Sequence, residues 1–425
     1  MSPLADEDTD LSVLLGAGAD FWAEHAPSFV DRYDRLGFQW SSSSSEYARA
    51  RHPHLQFAGL PVLEALVDFE ESRPTRMTLL VYSRGDTGDL SRSRFDRLLK
   101  RVDETFTAWC GSGPTVIQTP HERSTRHQIR RSAWVRPPHR LDLACGFSSP
   151  TGPRSFRAEF VKLVVTPFDP DDDPRTRPIL MKPQHGVISG FALRERIERT
   201  SKGDVFISGI PMVDQGEKGY CAVATGERLL RYFQREIDQH ELAQIADSSA
   251  QWGTNPETMI RVLRSICGKM GLKVRVLEEL DGEDFLRIVK DYNRSARKQD
   301  LEPVAVGGVF IVVSQLYDEM NSDVLFAVRT KNKSALRRFR KTVKKHVDGG
   351  VPLAWSVILG KFAEKPVLRQ SGGHMRLILG YNQGTDELLY SDSWGPGHEI
   401  KRLPFDQAWT VTTGLYTVTP DNIRL

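Results

Sequence analysis

Four cysteines stand in the chain, Cys110, Cys145, Cys221 and Cys267, far apart and without a C-x-x-C pair. That spacing argues against a zinc site of paired thiolates, and so few thiols in 425 residues argue against a disulfide framework. The useful question is whether one of them is placed as a nucleophile. Cys221 is: it opens a helix expected over Cys221–Phe233. Unpaired N–H groups and the helix dipole at that position favour the thiolate, which is the reactive form. Gln215 lies six residues earlier, in the loop leading to the cysteine. Its amide, with the Cys221 backbone N–H, can form an oxyanion hole. A thiolate needs a proton-carrying partner, and His374 supplies one, at the start of a strand-like run after Gly372-Gly373. Eighteen residues on, Asp392 ends the next strand-like run. A turn around Gln383–Asp386 lets the two runs pair as a hairpin, which brings Asp392 beside His374 to fix its tautomer. Trp394 is expected in the core, packing over the His–Asp pair and excluding water.

Those side chains need elements to hold them, and the pattern gives an α+β order. Residues 1–165 read as an N-terminal α+β domain: a short amphipathic helix over Asp20–Leu36, a strand at Met77–Tyr82 and a helix over Ser91–Cys110. Strand character follows at Thr115–Gln118, Ser132–Arg136, Arg140–Cys145 and Ser155–Thr166, predicting a small sheet with one main helix packed on it. Residues 166–202, beginning with the Pro- and Asp-rich tract Pro167–Pro178, read as a linker. Residues 203–425 form the second domain. Helices are expected at Cys221–Phe233, from Asn255-Pro256, from Asp281 (an N-cap, with Phe285, Leu286 and Val289 as its apolar residues) and at Ser334–Val347. Strands are expected at Val205–Pro211, Lys273–Leu277, Pro352–Leu359, Met375–Tyr381, Glu387–Ser391 and Leu415–Val418.

Composition narrows the class. Hydrophobic residues are 39% and charged residues 27%, enough to bury a core. Lys+Arg 58 against Asp+Glu 55 leaves +3, so bulk charge makes no case for nucleic acid. No run approaches the roughly 18 apolar residues of a membrane span. The start, MSPLADEDTDLS, lacks a signal-peptide pattern. Two expectations stay open: a cytoplasmic protein, or an exported one whose signal Met1 has replaced.

Gln215…Gly219-Tyr220-Cys221, then Gly373-His374 with an apolar strand and Gly380-Tyr381, then Asp392-Ser393-Trp394-Gly395 carry a resemblance. Residues of about 203–420 resemble a papain-like cysteine peptidase, most closely the bacterial C39-like peptidase family. The resemblance implies a papain-like fold, helical half against antiparallel sheet half. It implies Cys221 as nucleophile, His374 as base, Asp392 as its orienter, Gln215 as oxyanion donor, a peptide or protein substrate, and no metal or organic cofactor. Two departures stand out: Ala222-Val223 follows the cysteine where many relatives have Gly-Pro, and residues 281–350 read as an insertion. Residues 1–165 match no family by eye.

Three functions suit this constellation: a cysteine peptidase or related amide hydrolase, an acyltransferase on the same fold, and a silent binding module. All triad members are present, which favours the first. Cys110, Cys145 and Cys267 read as structural, and His185, His346 and His398 as surface or structural. The basic residues of Lys331–His346, and those of Arg123–Arg140, read as solvated faces rather than docking patches.

Overall fold

The computed structural model describes residues 9–16, 20–42, 45–117, 127–149, 155–174, 188–215, 220–235, 239–245, 256–306, 313–367 and 371–423. Helices and antiparallel sheets are both abundant, an α+β chain. It divides into two units, Met1–Pro183 with His240–Trp252, and Gln184–Gln239 with Gly253–Leu425. Among the described residues no helix is long and apolar enough to cross a membrane.

In the first unit, the helices are α1 (Ser12–Gly16), α2 (Asp20–Ala23), α3 (Ala26–Arg32), α4 (Arg84–Thr87) and α5 (Arg92–Cys110). The expected single helix over Asp20–Leu36 is broken, because Pro27 sits in the first turn of α3 and cannot continue α2. The sheet is not small. β1 (Phe38–Trp40), β2 (Tyr47–Ala50), β5 (Glu64–Glu70), β6 (Arg73–Ser83), β7 (Thr115–Ile117), β8 (His127–Arg136), β9 (His139–Ser148) and β10 (Arg157–Pro167) join antiparallel in the order β1-β2-β5-β6-β10-β9-β8-β7. β3 (Gln56–Phe57) and β4 (Leu60–Pro61) pair apart from it. Ser91 caps α5, accepting from the Arg94 N–H, and Phe95, Val102 and Phe106 turn into the core. There Phe95 meets Tyr82, and Phe106 meets Phe57 and Trp134, edge to face.

The second unit begins inside the stretch read as linker. Ile197–Arg199 is a strand, β11, paired with β12 (Asp204–Ile207), and α6 (Gly190–Glu195) precedes it. Within that stretch the Pro/Asp composition ends at Pro178, so linker composition does not reach these residues. The helices are α7 (Cys221–Tyr232), α9 (Pro256–Cys267), α10 (Gly282–Arg297), α11 (Val313–Glu319), α12 (Ser322–Thr330), α13 (Lys333–Val347) and α14 (Phe405–Val411), while α8 (Gln239–Ile245) belongs to the first unit from His240 on. Asp281 caps α10, accepting from the Asp284 N–H. Phe285 and Val289 are buried, but Leu286, at the margin of that face, is exposed. On α13, Leu336, Phe339, Val343 and Val347 are buried at helical spacing. The sheet adds β13 (Leu272–Glu279), β14 (Leu353–Leu359), β15 (Gly372–Asn382), β16 (Glu387–Ser391), β17 (Lys401–Pro404) and β18 (Thr412–Pro420). Its order is β11-β12-β15-β14-β18-β13, with β16 pairing both β15 and β17.

β15 organises the sheet. It pairs with β14 over residues 372–378, with β16 over 377–382 and with β12 over 380–382. Gly380 permits the last pairing: a Cβ there would lie 2.4 Å from the Val205 carbonyl oxygen. Asn255, Gly219, His185 and Arg123–Arg126 lie outside the described residues.

Candidate active site

Cys221 is the first residue of α7, behind Tyr220, which offers no side-chain cap. The helix is buried along most of its length and packs on β15, where the Thr225 hydroxyl donates to the Met375 carbonyl at 3.2 Å. That bond ties the second turn of the helix to the residue next to His374. The His374 imidazole and the backbone N–H groups of Ala222 and Met375 are close enough to the sulfur to favour its thiolate.

Burial alone would raise the Cys221 thiol, but the His374 charge and these contacts outweigh it, and the pKa is lowered. The other thiols behave oppositely: burial pushes Cys110 up to about 11, and Cys145 and Cys267 up to about 12. His374 is raised: burial opposes the imidazolium, but the Cys221 charge and Asp392 more than offset it. Both shifts act in the direction of a thiolate–imidazolium pair.

His374 lies on β15 opposite Val357, and its Nε2 is 3.3 Å from Asp392 Oδ1. That is an ion contact rather than an aligned hydrogen bond, and it leaves Nδ1 as the ring nitrogen for the sulfur. The hairpin explains the meeting: Ser391 pairs with Leu377, so the next residue, Asp392, comes level with Arg376, two residues along β15 from His374. Trp394 stacks on the His374 ring at 4.1 Å with planes 7° apart. The Gly395 turn that follows needs a left-handed φ of 77°.

Gln215 is buried beside the same turn. Its N–H donates to the Ser393 carbonyl at 2.9 Å, and its Oε1 accepts from the Ser393 hydroxyl at 2.7 Å. Fixing Oε1 in this way leaves the amide nitrogen as the donor branch. Asp392 and Trp394 therefore meet at the His374 imidazole, which acts on Cys221, and Gln215 is tied to Ser393 of the same turn.

Several participants carried no functional reading. His398, taken as surface or structural, is at the site: its Nδ1 lies 3.5 Å from Asp392 Oδ2, and its carbonyl accepts from the Asp392 N–H at 3.0 Å. It lacked a strand or helix pattern to place it. Asp392 is fully buried and also meets Arg376 Nε at 2.7 Å and Lys401 Nζ at 3.0 Å. Both cations continue to Glu364, at 2.8 Å each, and the Tyr390 hydroxyl donates to the same carboxylate at 2.6 Å. Arg228, buried on α7, donates to the Asp392 carbonyl at 2.9 Å and to Ser391 Oγ at 2.7 Å. A signal was present: Arg376 is the one charge inside the apolar run Met375–Tyr381. Burial opposes ionisation of Asp392, yet the Arg376 charge and the His374 and His398 contacts hold its carboxyl well below the usual range.

Residues 306–416 match the model of the Peptidase_C39 like family. The match takes in His374, Asp392 and Trp394; Cys221 and Gln215 precede it. The N-terminal half has no family match. A search of curated proteins finds no match to the chain.

Proposed function

We propose that this protein is a cysteine peptidase, cleaving a peptide or related amide bond through a thioacyl-enzyme. The reading is supported most by one observation: the His374 imidazole acts on the Cys221 sulfur from one side, and its Nε2 faces the buried Asp392 at 3.3 Å. In this reading the thiolate attacks the scissile carbonyl carbon, and the Cys221 N–H and the Gln215 amide hold the developing oxyanion. His374 gives its proton to the leaving amine, which departs as the thioester forms. Water then enters; His374 takes its proton, the C–S bond breaks, and the acid product leaves. Asp392 fixes the ring and Trp394 shields the contact from water. A helix presenting the cysteine, with a sheet presenting histidine and aspartate, is the papain-like arrangement.

The test is acyl-enzyme trapping. A peptide-like electrophile is incubated with the protein and with Cys221→Ala, and the adduct is mapped by mass spectrometry. Labelling confined to Cys221 and abolished by the substitution is the expected result; equal labelling of both proteins overturns the proposal. Added amine distinguishes hydrolysis, which leaves a free acid, from acyl transfer, which leaves an amide.

A further inference from the structure

The carboxylate behind His374 is unusually crowded with cations. His374 and Arg376 sit two residues apart on β15, so both side chains face Asp392 from the same side of the sheet. They share one oxygen: Arg376 Nε is 2.7 Å from Oδ1, closer than His374 Nε2 at 3.3 Å. Lys401, from β17, takes Oδ2 at 3.0 Å. All three side chains are nearly inaccessible, at 4% for His374 and 1% for each of the others. Glu364, just past β14, closes the group by pairing both Arg376 and Lys401.

This arrangement does more than anchor a carboxylate. In a medium of low polarity, one negative charge flanked by two fixed cations projects a much weaker field onto its next neighbour. The returning anion at Glu364 restores part of that field. We propose that Arg376, Lys401 and Glu364 are positioning residues that meter the negative charge Asp392 presents to His374, and so fix the upper pH limit of the thiolate–imidazolium pair. The inference rests on the cysteine peptidase reading of the same site.

Other charged groups facing the pair have their own places. On α7, Cys221 is the partner itself, and Arg228 engages the Asp392 backbone and feels Glu399. In the loop before β17, His398 approaches Asp392 Oδ2. On β16, the Tyr390 hydroxyl donates to Glu364. The substitutions below leave all of these in place.

The signs follow from charge. Removing Lys401 exposes more of the Asp392 charge, so His374 keeps its proton to higher pH. Neutralising Glu364 leaves the cations less compensated, so His374 loses its proton at lower pH. Alkylation by iodoacetate reads this without a peptide substrate. The anion reacts fastest while an imidazolium faces the thiolate, so its rate rises as the pair forms and falls as His374 deprotonates. Lys401→Met is expected to move the falling limb up by at least about half a pH unit, a modest fraction of a unit charge felt at this range. Glu364→Gln is expected to move it down. The double variant, with no charge at either place, returns toward the parent position, and Lys401→Arg retains it. Thermal unfolding is followed alongside. Should Lys401→Met lose its fold, Glu364→Gln decides alone. Limbs that stay at the parent position, or that move the same way in both single variants, overturn the inference. A parent protein showing no rise and fall at all instead defeats the cysteine peptidase reading.

Discussion

At the scale of single residues, the chemistry depends on one hydrogen bond opposing burial. Without His374, burial acts on the Cys221 thiol with no cation beside it. His374→Ala is therefore expected to move the thiol titration to about 8.5 or above, the ordinary thiol range, and to lower turnover about 10²–10⁴-fold. Alkylation rate against pH checks the first and steady-state hydrolysis the second. Gln215→Ala is expected to cost about 10²–10³ in turnover with Cys221 alkylation retained, because it removes an oxyanion donor and not the nucleophile. Loss of alkylation in that variant would contradict the role. Cys221, Gln215, His374 and Asp392 stood out in the sequence because thiol, amide, imidazole and carboxylate each have distinctive chemistry at their spacing. Lys401 and Glu364 did not, because their place lies in mutual distances that chain order does not reveal, and Arg376 showed only as a lone charge in an apolar run. His398 was missed for the same reason, in a turn where no periodicity fixes direction.

Secondary-structure elements deliver these atoms, and their limits were partly readable. Ser91 and Asp281 mark helix starts because their side-chain oxygens take an orphan N–H, a local property. The hairpin of β15 and β16 was visible as two apolar runs around a polar turn. The shorter strands β1, β2 and β17 were not, since three or four residues show too little alternation to stand out from loops. Ile197–Arg199, inside the stretch read as linker, is a short strand whose side chains are largely exposed, so no strand pattern stood out there. The tight spot in the site's sheet is Gly380. Gly380→Ala sets a Cβ against the Val205 carbonyl and is expected to destabilise the second unit by about 1–3 kcal/mol. Urea unfolding measures it; an unchanged midpoint would contradict the close packing of β12 on β15.

At the scale of the whole molecule, stability and chemistry draw on the same buried charges. Asp204 is held down to about 2, first by its hydrogen bond to Arg402, and Asp392 and Glu364 are also depressed despite burial. Each ionises more readily folded than unfolded. Their stabilisation is thus complete above about 4, the unfolded carboxyl value, and is lost as pH falls through the folded values. Unfolding free energy of the second unit is expected to drop steeply on acidification below about pH 4, and a flat profile there would contradict the assignment. In the first unit, Glu241 meets Lys162 at 2.8 Å and Arg131 at 3.2 Å, both within buried surroundings. Glu241→Gln is expected to cost about 3 kcal/mol or more, because it removes the carboxylate from a buried ammonium. The central claim is the charged pair at Cys221 and His374, and ultraviolet thiolate absorbance of the intact protein, taken against Cys221→Ala across pH, tests it most directly. The account predicts a thiolate signal already present at about pH 6 and absent there in His374→Ala; a signal that emerges only above about 8.5 in the parent protein would contradict it.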